Sequence, residues 1–218
     1  MECSGKSINQ NTMKKLLLIF AAGLFIFSPA ESKAQAVSKG TVLIDAYYGF
    51  PNWTKNLLQT TYTNSGSETD VSINGIGPVG GRIEYLLGEK IGLGVDVNYT
   101  SASVSWKEGG IDDVGQPVIY DHKTGQELLR AMAAFSWHFV GSDAFDAYLS
   151  FGAGYRNKTY TYETNEPGFI DSETIGLIPL AMRIAVGGRY FFTDNIGAGI
   201  ELGLGGGGNV RGGLAVKF

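Results

Sequence analysis

Hydrophobic and polar residues alternate with a period of two in eight separate segments of the chain. The segments are 41–50, 79–87, 91–106, 127–139, 145–156, 177–192, 196–204 and 209–218. In each segment, one set of alternate positions is aliphatic or aromatic, and the other holds glycine, polar and charged residues. Successive side chains of a strand point to opposite faces of a sheet, so this period indicates β-strands. The pattern therefore predicts an all-β fold of eight strands.

The connections between these segments alternate in length. Residues 88–90, 141–144 and 193–195 form short connections, and the last connection, 205–208, is short as well. The long, polar connections lie at about 51–74, 107–126 and 157–176. Short periplasmic turns and longer extracellular loops are typical of outer-membrane barrels. We therefore predict a closed, antiparallel, up-and-down transmembrane β-barrel of eight strands.

The chemistry of the two faces indicates which one points outward. A closed barrel of eight strands has an interior only wide enough for side chains to fill. Large apolar side chains from every strand would overfill that interior, whereas glycines and scattered charges fit it. We therefore expect the apolar face to contact lipid. The alternative, a soluble secreted barrel such as a lipocalin, would place its apolar face inside and its polar face outside.

The charged residues of the predicted interior are the main candidate for a functional site. They are Asp45, Arg82, Glu84, Asp96, Arg130, Asp146, Arg156, Arg183, Arg189, Glu201, Arg211 and Lys217. Because unpaired buried charge is costly, one interpretation is a network of ion pairs that plugs the lumen. The alternative is a narrow, slightly basic pore, since the many lumen glycines leave room for water.

Residues 1–36 are predicted to precede the folded domain, which we place at 37–218. A basic segment at 13–15 is followed by an apolar stretch at 16–27 and by the small-x-small sequence Ala34-Gln35-Ala36. This order is typical of a cleaved secretory signal peptide, and residues 1–12 are expected to be an extension ahead of it. The apolar stretch is shorter than a membrane-spanning helix, which argues against the alternative of a membrane anchor.

Composition excludes several kinds of chemistry. The net charge is −4, so nothing indicates a nucleic-acid partner. The single cysteine, Cys3, lies in the predicted leader, so 37–218 holds no disulfide and no thiolate metal site. The acidic predicted loops lack the spacing of a calcium loop, and a solvated surface is the preferred interpretation. We expect no cofactor and no bound metal.

Three further patterns invite functional interpretations that we do not favour. Ser136 and His138 suggest a lipid-modifying hydrolase, but the topology places both near the periplasmic end and offers no third member. His122 falls in a predicted long loop, where a solvated histidine is expected. The glycines of 203–208 match G-x-G-x-x-G, but that fingerprint requires a following helix, and here a strand follows.

The last predicted strand carries a family resemblance. Arg211, Gly213, Val216 and the aromatic Phe218 resemble the C-terminal signal by which the outer-membrane assembly machinery recognises its substrates. The domain as a whole is similar to the small eight-stranded barrels of the OmpX, OmpW and OmpA-barrel type. The Lys-Ala-Gln-Ala end of the leader and the amino-acid sequences of the strands resemble the Bacteroidetes versions. The resemblance implies an outer-membrane location, contact with lipid and lipopolysaccharide, and the assembly machinery as a partner during biogenesis.

Together these features predict a non-enzymatic integral outer-membrane protein with a structural or surface-interaction role. In this hypothesis the charged side chains plug the lumen and the extracellular loops form the working surface, for a loop partner that the sequence does not identify. The alternative is a small porin-like channel, similar to OmpW, for small or hydrophobic solutes. A continuous water-filled lumen would favour the channel, and interlocked ion pairs would favour the plug.

Overall fold

The computed structural model describes residues 36–62, 69–112, 114–169, 172–175 and 179–218. Apart from Ala36, the predicted leader at 1–36 lies outside the described residues. Within them the elements are β1 (Val42–Phe50), α1 (Trp53–Tyr62), β2 (Thr69–Leu86), β3 (Ile91–Ile111), β4 (Pro117–Gly141), β5 (Phe145–Thr164), β6 (Ser172–Ile175), β7 (Leu180–Phe191), β8 (Ile196–Gly205) and β9 (Val210–Lys217).

Eight of these strands close into an antiparallel barrel. Neighbouring strands follow chain order from β1 to β5 and then from β7 to β9, and β1 pairs with β9 to complete the circle. The short strand β6 pairs with the outer part of β5 and takes no part in closure. The prediction of a closed, up-and-down barrel of eight strands is confirmed.

The strands are longer than the alternating segments, and much of the predicted loop sequence is regular structure. The predicted loop at 107–126 is a hairpin, in which β3 continues to Ile111 and β4 begins at Pro117. The predicted loop at 51–74 contains α1 and the first residues of β2. These segments mix polar and apolar residues on both faces, with Ile111 and Ile119 exposed and Tyr120 buried, so they show no sustained alternation, although the backbone ladder continues through them.

The barrel wall is therefore taller on one side. The outer parts of β2 to β5 extend beyond the ends of β1, β7, β8 and β9. We call these outer parts, together with β6, the extracellular sheet; the outer parts are residues 69–78, 101–111, 117–128 and 156–164. Helix α1 lies against the inner face of this sheet, where the rings of Tyr62 and Trp106 are 4.8 Å apart.

Burial in the barrel is the reverse of that in a water-soluble protein. On β3, the outward side chains of Leu93 and Val95 are 48% and 54% exposed. The neighbouring Asp96, which faces the lumen, is 1% exposed. The outward apolar side chains from Ile91 to Tyr99 cover about 27 Å along the strand, or roughly 21 Å along the barrel axis at a tilt of about 40°. That height is close to the lipid-facing band of outer-membrane barrels, about 25 Å.

Past Tyr99 the outward positions of β3 change to Ser101, Ser103 and Ser105, which marks the end of the band. Among the described residues, no helix has the length and hydropathy needed to cross a membrane.

Candidate functional site: the charged lumen

Alternation along the strands directs charged side chains inward, and inward glycines make the space for them. At Gly92, a Cβ atom would overlap the Glu84 carboxylate, and at Gly187 it would overlap the Tyr148 ring. Both glycines lie beside a long polar side chain that would otherwise have no room in a barrel of this diameter. The pairing of glycine with charge along these strands is therefore a packing requirement.

A first group of ion pairs surrounds Arg189 in the half of the lumen near the short turns. We call it the lower cluster. The Arg189 guanidinium donates to Asp45 Oδ2 at 2.7 Å, to Glu84 Oε2 at 2.9 Å and to Asp146 Oδ2 at 3.0 Å. His138 bridges two of the same carboxylates, with Nδ1 at 2.7 Å from Asp146 Oδ1 and Nε2 at 3.0 Å from Glu84 Oε1. One guanidinium therefore joins three strands across the barrel.

A second group, the middle cluster, lies above the first and has the opposite charge balance. Three arginines, Arg82, Arg183 and Arg211, share two carboxylates, Asp96 and Glu201. Arg82 lies 2.9 Å from Glu201 and 3.3 Å from Asp96, Arg183 lies 2.8 Å from Glu201, and Arg211 lies 2.7 Å from Asp96. All five side chains are buried. Because unpaired buried charge is costly, removal of one member would leave its partners without full compensation.

Two tyrosines complete these clusters. Tyr148 lies between them, with the Arg189 guanidinium 4.2 Å from its ring centre and its hydroxyl donating to Glu201 at 3.2 Å. Tyr47 has the same relation to Arg211, at 4.3 Å, and donates to Asp96 at 2.7 Å. A guanidinium over an aromatic face gains a cation–π interaction without needing another carboxylate. Tyr47 shares its strand face with Asp45, but the alternation of residues 41–50 does not indicate this role.

The turn between β8 and β9 closes the outer side of the middle cluster. Its carbonyl groups point inward: Gly206 O accepts from Arg211 Nη2 at 2.8 Å, and Gly208 O accepts from Arg183 Nη1 at 2.7 Å. Gly205, Gly207 and Gly208 have φ of 98°, 99° and 84°, a region that glycine adopts far more readily than other residues. The glycine run is thus an inward-folded turn whose carbonyls cap two buried arginines.

Three of the predicted lumen charges lie outside both clusters. Lys217 is near the short-turn end, where its Nζ donates to Ala36 O at 2.8 Å. Arg130 is on β4 near the outer end of the barrel, and Arg156 is directly opposite it on β5. The remaining nine predicted residues fall in the two clusters, to which the structure adds His138, Tyr47 and Tyr148.

The predicted assembly signal lies on the closing strand. Val216 is paired with Ile44 of β1, and the Phe218 backbone exchanges hydrogen bonds with Val42, both at 3.0 Å. Gly213 is inward, where a Cβ atom would overlap the Ala46 carbonyl oxygen. These residues help to close the barrel, and their recognition by the assembly machinery stays a prediction.

The prediction that His122 is a solvated loop residue is wrong. His122 is buried in β4, where its ring stacks on Trp106 with centres 5.3 Å apart and its Nδ1 is 2.9 Å from the Tyr162 hydroxyl. The outer parts of β3, β4 and β5 bring these three side chains together on the inner face of the extracellular sheet. The error follows from treating 107–126 as a loop.

The described residues contain no cluster of three or more His, Cys, Asp or Glu side chains arranged to hold a metal ion. A closed eight-stranded barrel with an apolar exterior and a charged, paired interior defines a membrane-spanning protein of the outer-membrane barrel class.

Comparison with solved structures gives likenesses in fold, among them the following two. No protein-family model matches the sequence, and no curated protein matches it. The chain is similar to the N-terminal β-barrel domain of Pseudomonas aeruginosa OprF, at 15% identity and a TM-score of 0.41, over 84% of this chain and 100% of that one. It is also similar to Ail, the attachment invasion locus protein of Yersinia pestis, at 10% identity and a TM-score of 0.36, over 83% of this chain and 99% of that one.

Proposed function

We propose that this protein is a non-enzymatic outer-membrane barrel whose lumen is closed by its ion pairs and whose extracellular sheet is the working surface. The observation that carries the proposal is the pairing of the lumen carboxylates. Each carboxylate of the lower and middle clusters lies within 3.0 Å of an arginine nitrogen, the members being Asp45, Glu84, Asp96, Asp146 and Glu201. Because all five are paired with arginines held from several strands, none of these carboxylates is free to line a path for cations.

The space left beside these clusters also supports a closed lumen. A cavity of about 30 Å³ lies next to Tyr47, Arg82 and Tyr148. Such a volume holds a water molecule or two, because one water needs roughly 10–15 Å³ by this measure. Conduction needs a continuous chain of water, which a cavity of this size does not supply.

The geometry of His138 supports a role without catalysis. Both of its ring nitrogens are occupied by carboxylates, Nδ1 by Asp146 and Nε2 by Glu84. A general base needs a free nitrogen within hydrogen-bond reach of the group that it deprotonates. His138 is therefore better suited to join two acidic side chains than to activate Ser136.

The extracellular sheet supplies the surface for contacts. Its outer face is polar and carries the exposed ion pairs Lys107–Asp70, at 3.1 Å, and Lys123–Glu163, at 3.0 Å. Within the described residues, the 69–77 part of β2 pairs only with β3, because β1 ends at Phe50. An unpaired strand edge offers backbone groups to a partner. Below the sheet, we propose that lipid and lipopolysaccharide surround the apolar band, and that the assembly machinery inserts the barrel.

Single-channel recording of the refolded protein in planar bilayers tests the closed lumen. We expect no conductance from the unmodified protein and openings from an Arg82→Ala/Arg189→Ala variant, because that variant removes one arginine from each cluster. The Arg82→Ala variant serves as a second test if the double variant does not refold. Lys107→Ala/Lys123→Ala is the matched control, since it removes two cations from the outer face, and it is expected to stay silent. Steady conductance in the unmodified protein would overturn the proposal.

A small channel is the second candidate, and one observation favours it. Arg82 Nε, Arg82 Nη1 and Arg183 Nη2 are buried and have no hydrogen-bond partner among the described residues. Buried donors of this kind are usually satisfied by ordered water. Water beside the middle cluster is compatible with a closed lumen, but a hydrated path through both clusters would make the protein a channel. The same recordings separate the two candidates.

A further inference from the structure

The chain enters β1 through a short segment that lies in the short-turn mouth of the lumen. Ala36 and Val37 are each 2% exposed, and they pack with an apolar layer of four inward side chains. This layer lies nearer to the short turns than the lower cluster and comes from four strands; its members are Leu43, Leu86, Phe191 and Ala215. The segment is therefore part of the packed barrel.

Hydrogen bonds hold this segment to opposite walls of the barrel. Ala36 N donates to Ser142 O in the turn between β4 and β5, which lies across the ring of strands from β1. Ala36 O accepts a hydrogen bond from Lys217 Nζ of β9 at 2.8 Å. A turn then returns the chain to β1, with Thr41 N donating to Ser38 O at 3.1 Å. The segment thus spans the mouth from one wall to the other.

Removal of the leader after Ala36, which the sequence Ala34-Gln35-Ala36 predicts, would cut through this segment. Val37 N would change from an amide into a primary ammonium group, although Val37 is 2% exposed. A carbonyl oxygen and the next backbone nitrogen are about 2.3 Å apart, so this ammonium would lie within roughly 5 Å of Lys217 Nζ. Two ammonium groups buried this close together are costly. The new terminus would have to leave the mouth, and the packing of Val37 would be lost.

We propose that the leader is removed at the Ala34–Gln35 bond, and that the retained segment is a stopper in the short-turn mouth of the lumen. Ser32-Lys33-Ala34 has the small-x-small order of a signal-peptide cleavage site. Hydrolysis of this bond leaves a carboxylate on Ala34 and an amine on Gln35, so Ala36 N stays an amide that can donate to the opposite wall. The inference rests on export through a cleaved leader, and it does not depend on whether the lumen conducts.

The first residue of the exported protein tests the cleavage site. The full precursor is expressed in a Gram-negative host, purified from the outer membrane and analysed by intact-mass spectrometry. We expect the mass of chain 35–218, or that mass less one ammonia, because an N-terminal glutamine amine can displace ammonia from its own side-chain amide. A chain that begins at Val37, or at Glu31 after Ser28-Pro29-Ala30, would overturn the assignment. Retention of the whole leader would overturn both the assignment and export through a cleaved leader.

Two precursor variants separate the proposed cleavage site from the alternative. Ser32→Tyr replaces a small residue of the Ala34–Gln35 site alone, and we expect uncleaved precursor to accumulate. Ala36→Tyr is the matched control, because it replaces a small residue of the alternative site alone, and we expect the same first residue as in the unmodified protein. The leader is cut before the barrel folds, so a folding defect does not affect this comparison. Accumulation of precursor in Ala36→Tyr but not in Ser32→Tyr would overturn the assignment.

Refolded chains with defined first residues test the stopper. Chains that begin at Gln35 and at Val37 are released from a cleavable tag and unfolded with urea in lipid vesicles. We expect a lower urea midpoint for the chain that begins at Val37, because its terminal ammonium lies beside Lys217. Equal midpoints for the two chains would overturn the stopper.

A charge-removing variant shows whether repulsion causes the difference. Lys217→Met keeps a long apolar side chain beside Phe191, whose ring centre is 4.6 Å from Lys217 Nζ, and removes the cation. We expect it to lower the urea midpoint of the chain that begins at Gln35, since Ala36 O loses its donor, and to narrow the gap between the two chains. An unchanged gap would contradict the argument from charge.

Discussion

Arg189 is the side chain on which the lower cluster depends. It is 1% exposed and is the only arginine of that cluster, while Asp45, Glu84 and Asp146 all accept hydrogen bonds from it. These ion pairs contribute less to the stability of the folded barrel than their Coulomb energy suggests, since four charged groups have lost their hydration. Its removal is costly because the carboxylates would stay behind in the lumen.

We therefore expect Arg189→Ala to lower the free energy of unfolding by about 3–5 kcal/mol, the loss typical of a broken buried ion pair. Lys123→Ala breaks an ion pair of similar length, 3.0 Å, whose two side chains are about half exposed. An exposed pair contributes less than about 1 kcal/mol. Urea unfolding in lipid vesicles measures both variants, and equal losses would contradict the burial of Arg189.

Two adjacent glycines of β9 make a sharper comparison. Gly213 is inward, and a Cβ atom there would overlap Ala46 O and the Tyr47 backbone; at Gly212 the nearest atom to an added Cβ, Gly199 O, is 3.9 Å away. We expect Gly213→Ala to destabilise the barrel by about 1–3 kcal/mol through overpacking, and Gly212→Ala to have little effect. The same urea unfolding assay compares the two variants. If Gly213→Ala leaves the free energy of unfolding unchanged, overpacking does not explain this glycine, and recognition during assembly is the remaining explanation.

Helix α1 is held by its first turn. Asn52 Nδ2 donates to Ile76 O at 2.6 Å and to Ser101 O at 2.9 Å, and its Oδ1 accepts from Lys55 N at 3.1 Å as an N-cap. This one side chain thus begins the helix and ties it to two strands of the extracellular sheet. Trp53 adds a hydrogen bond from its Nε1 to Asn209 Oδ1 at 2.6 Å.

We expect Asn52→Ala to release α1 from the sheet, because it removes the cap and both strand contacts. Loss of the cap costs about 1 kcal/mol. If the two lost strand contacts cost about 1–2 kcal/mol more, the fraction of protein with α1 detached from the sheet rises by another factor of roughly 5–30. Limited trypsin cleavage after Lys55 in the refolded protein follows that population. Asn56→Ala, which truncates an exposed side chain of the same helix, is the control. Equal cleavage rates for the two variants would mean that Asn52 does not hold the helix.

The differences between sequence and structure concentrate in these outer elements. Alternation predicts a strand only where one face is apolar, so β3 was predicted over 91–106 and its last residues, 107–111, were assigned to a loop. The helix has the same difficulty, because α1 buries none of its side chains and mixes polar with apolar residues. Its stability comes from Asn52 and from contacts with distant strands, which local sequence does not encode.

In the lumen, the sequence indicates which residues point inward but not how they pair. Period-two alternation is sufficient to place Asp45 and Arg189 inside, because each follows the parity of its strand. Their contact joins residues that are 144 positions apart and depends on the stagger of the closed barrel. The same stagger determines three further features that only the three-dimensional structure reveals. They are the separation into two clusters, the role of His138 and the inward turn at Gly205–Gly208.

For the protein as a whole, every conclusion depends on the assignment of the two faces. The apolar positions must contact lipid, and the charged positions must face the lumen, for the clusters to be desolvated and for the extracellular sheet to stand above the membrane. Leu93 and Ser103 test this assignment within a single strand. Both point outward from β3, Leu93 within the apolar band and Ser103 beyond its end.

Site-directed spin labelling in lipid vesicles measures the assignment directly. The only cysteine of the sequence is Cys3, so domain 37–218 carries a single label in Leu93→Cys and in Ser103→Cys. We expect the label at 93 to collide more often with oxygen, which concentrates in lipid, and the label at 103 to collide more often with a water-soluble nickel complex. Equal access of the nickel complex to both positions would mean that the apolar face does not lie in the membrane.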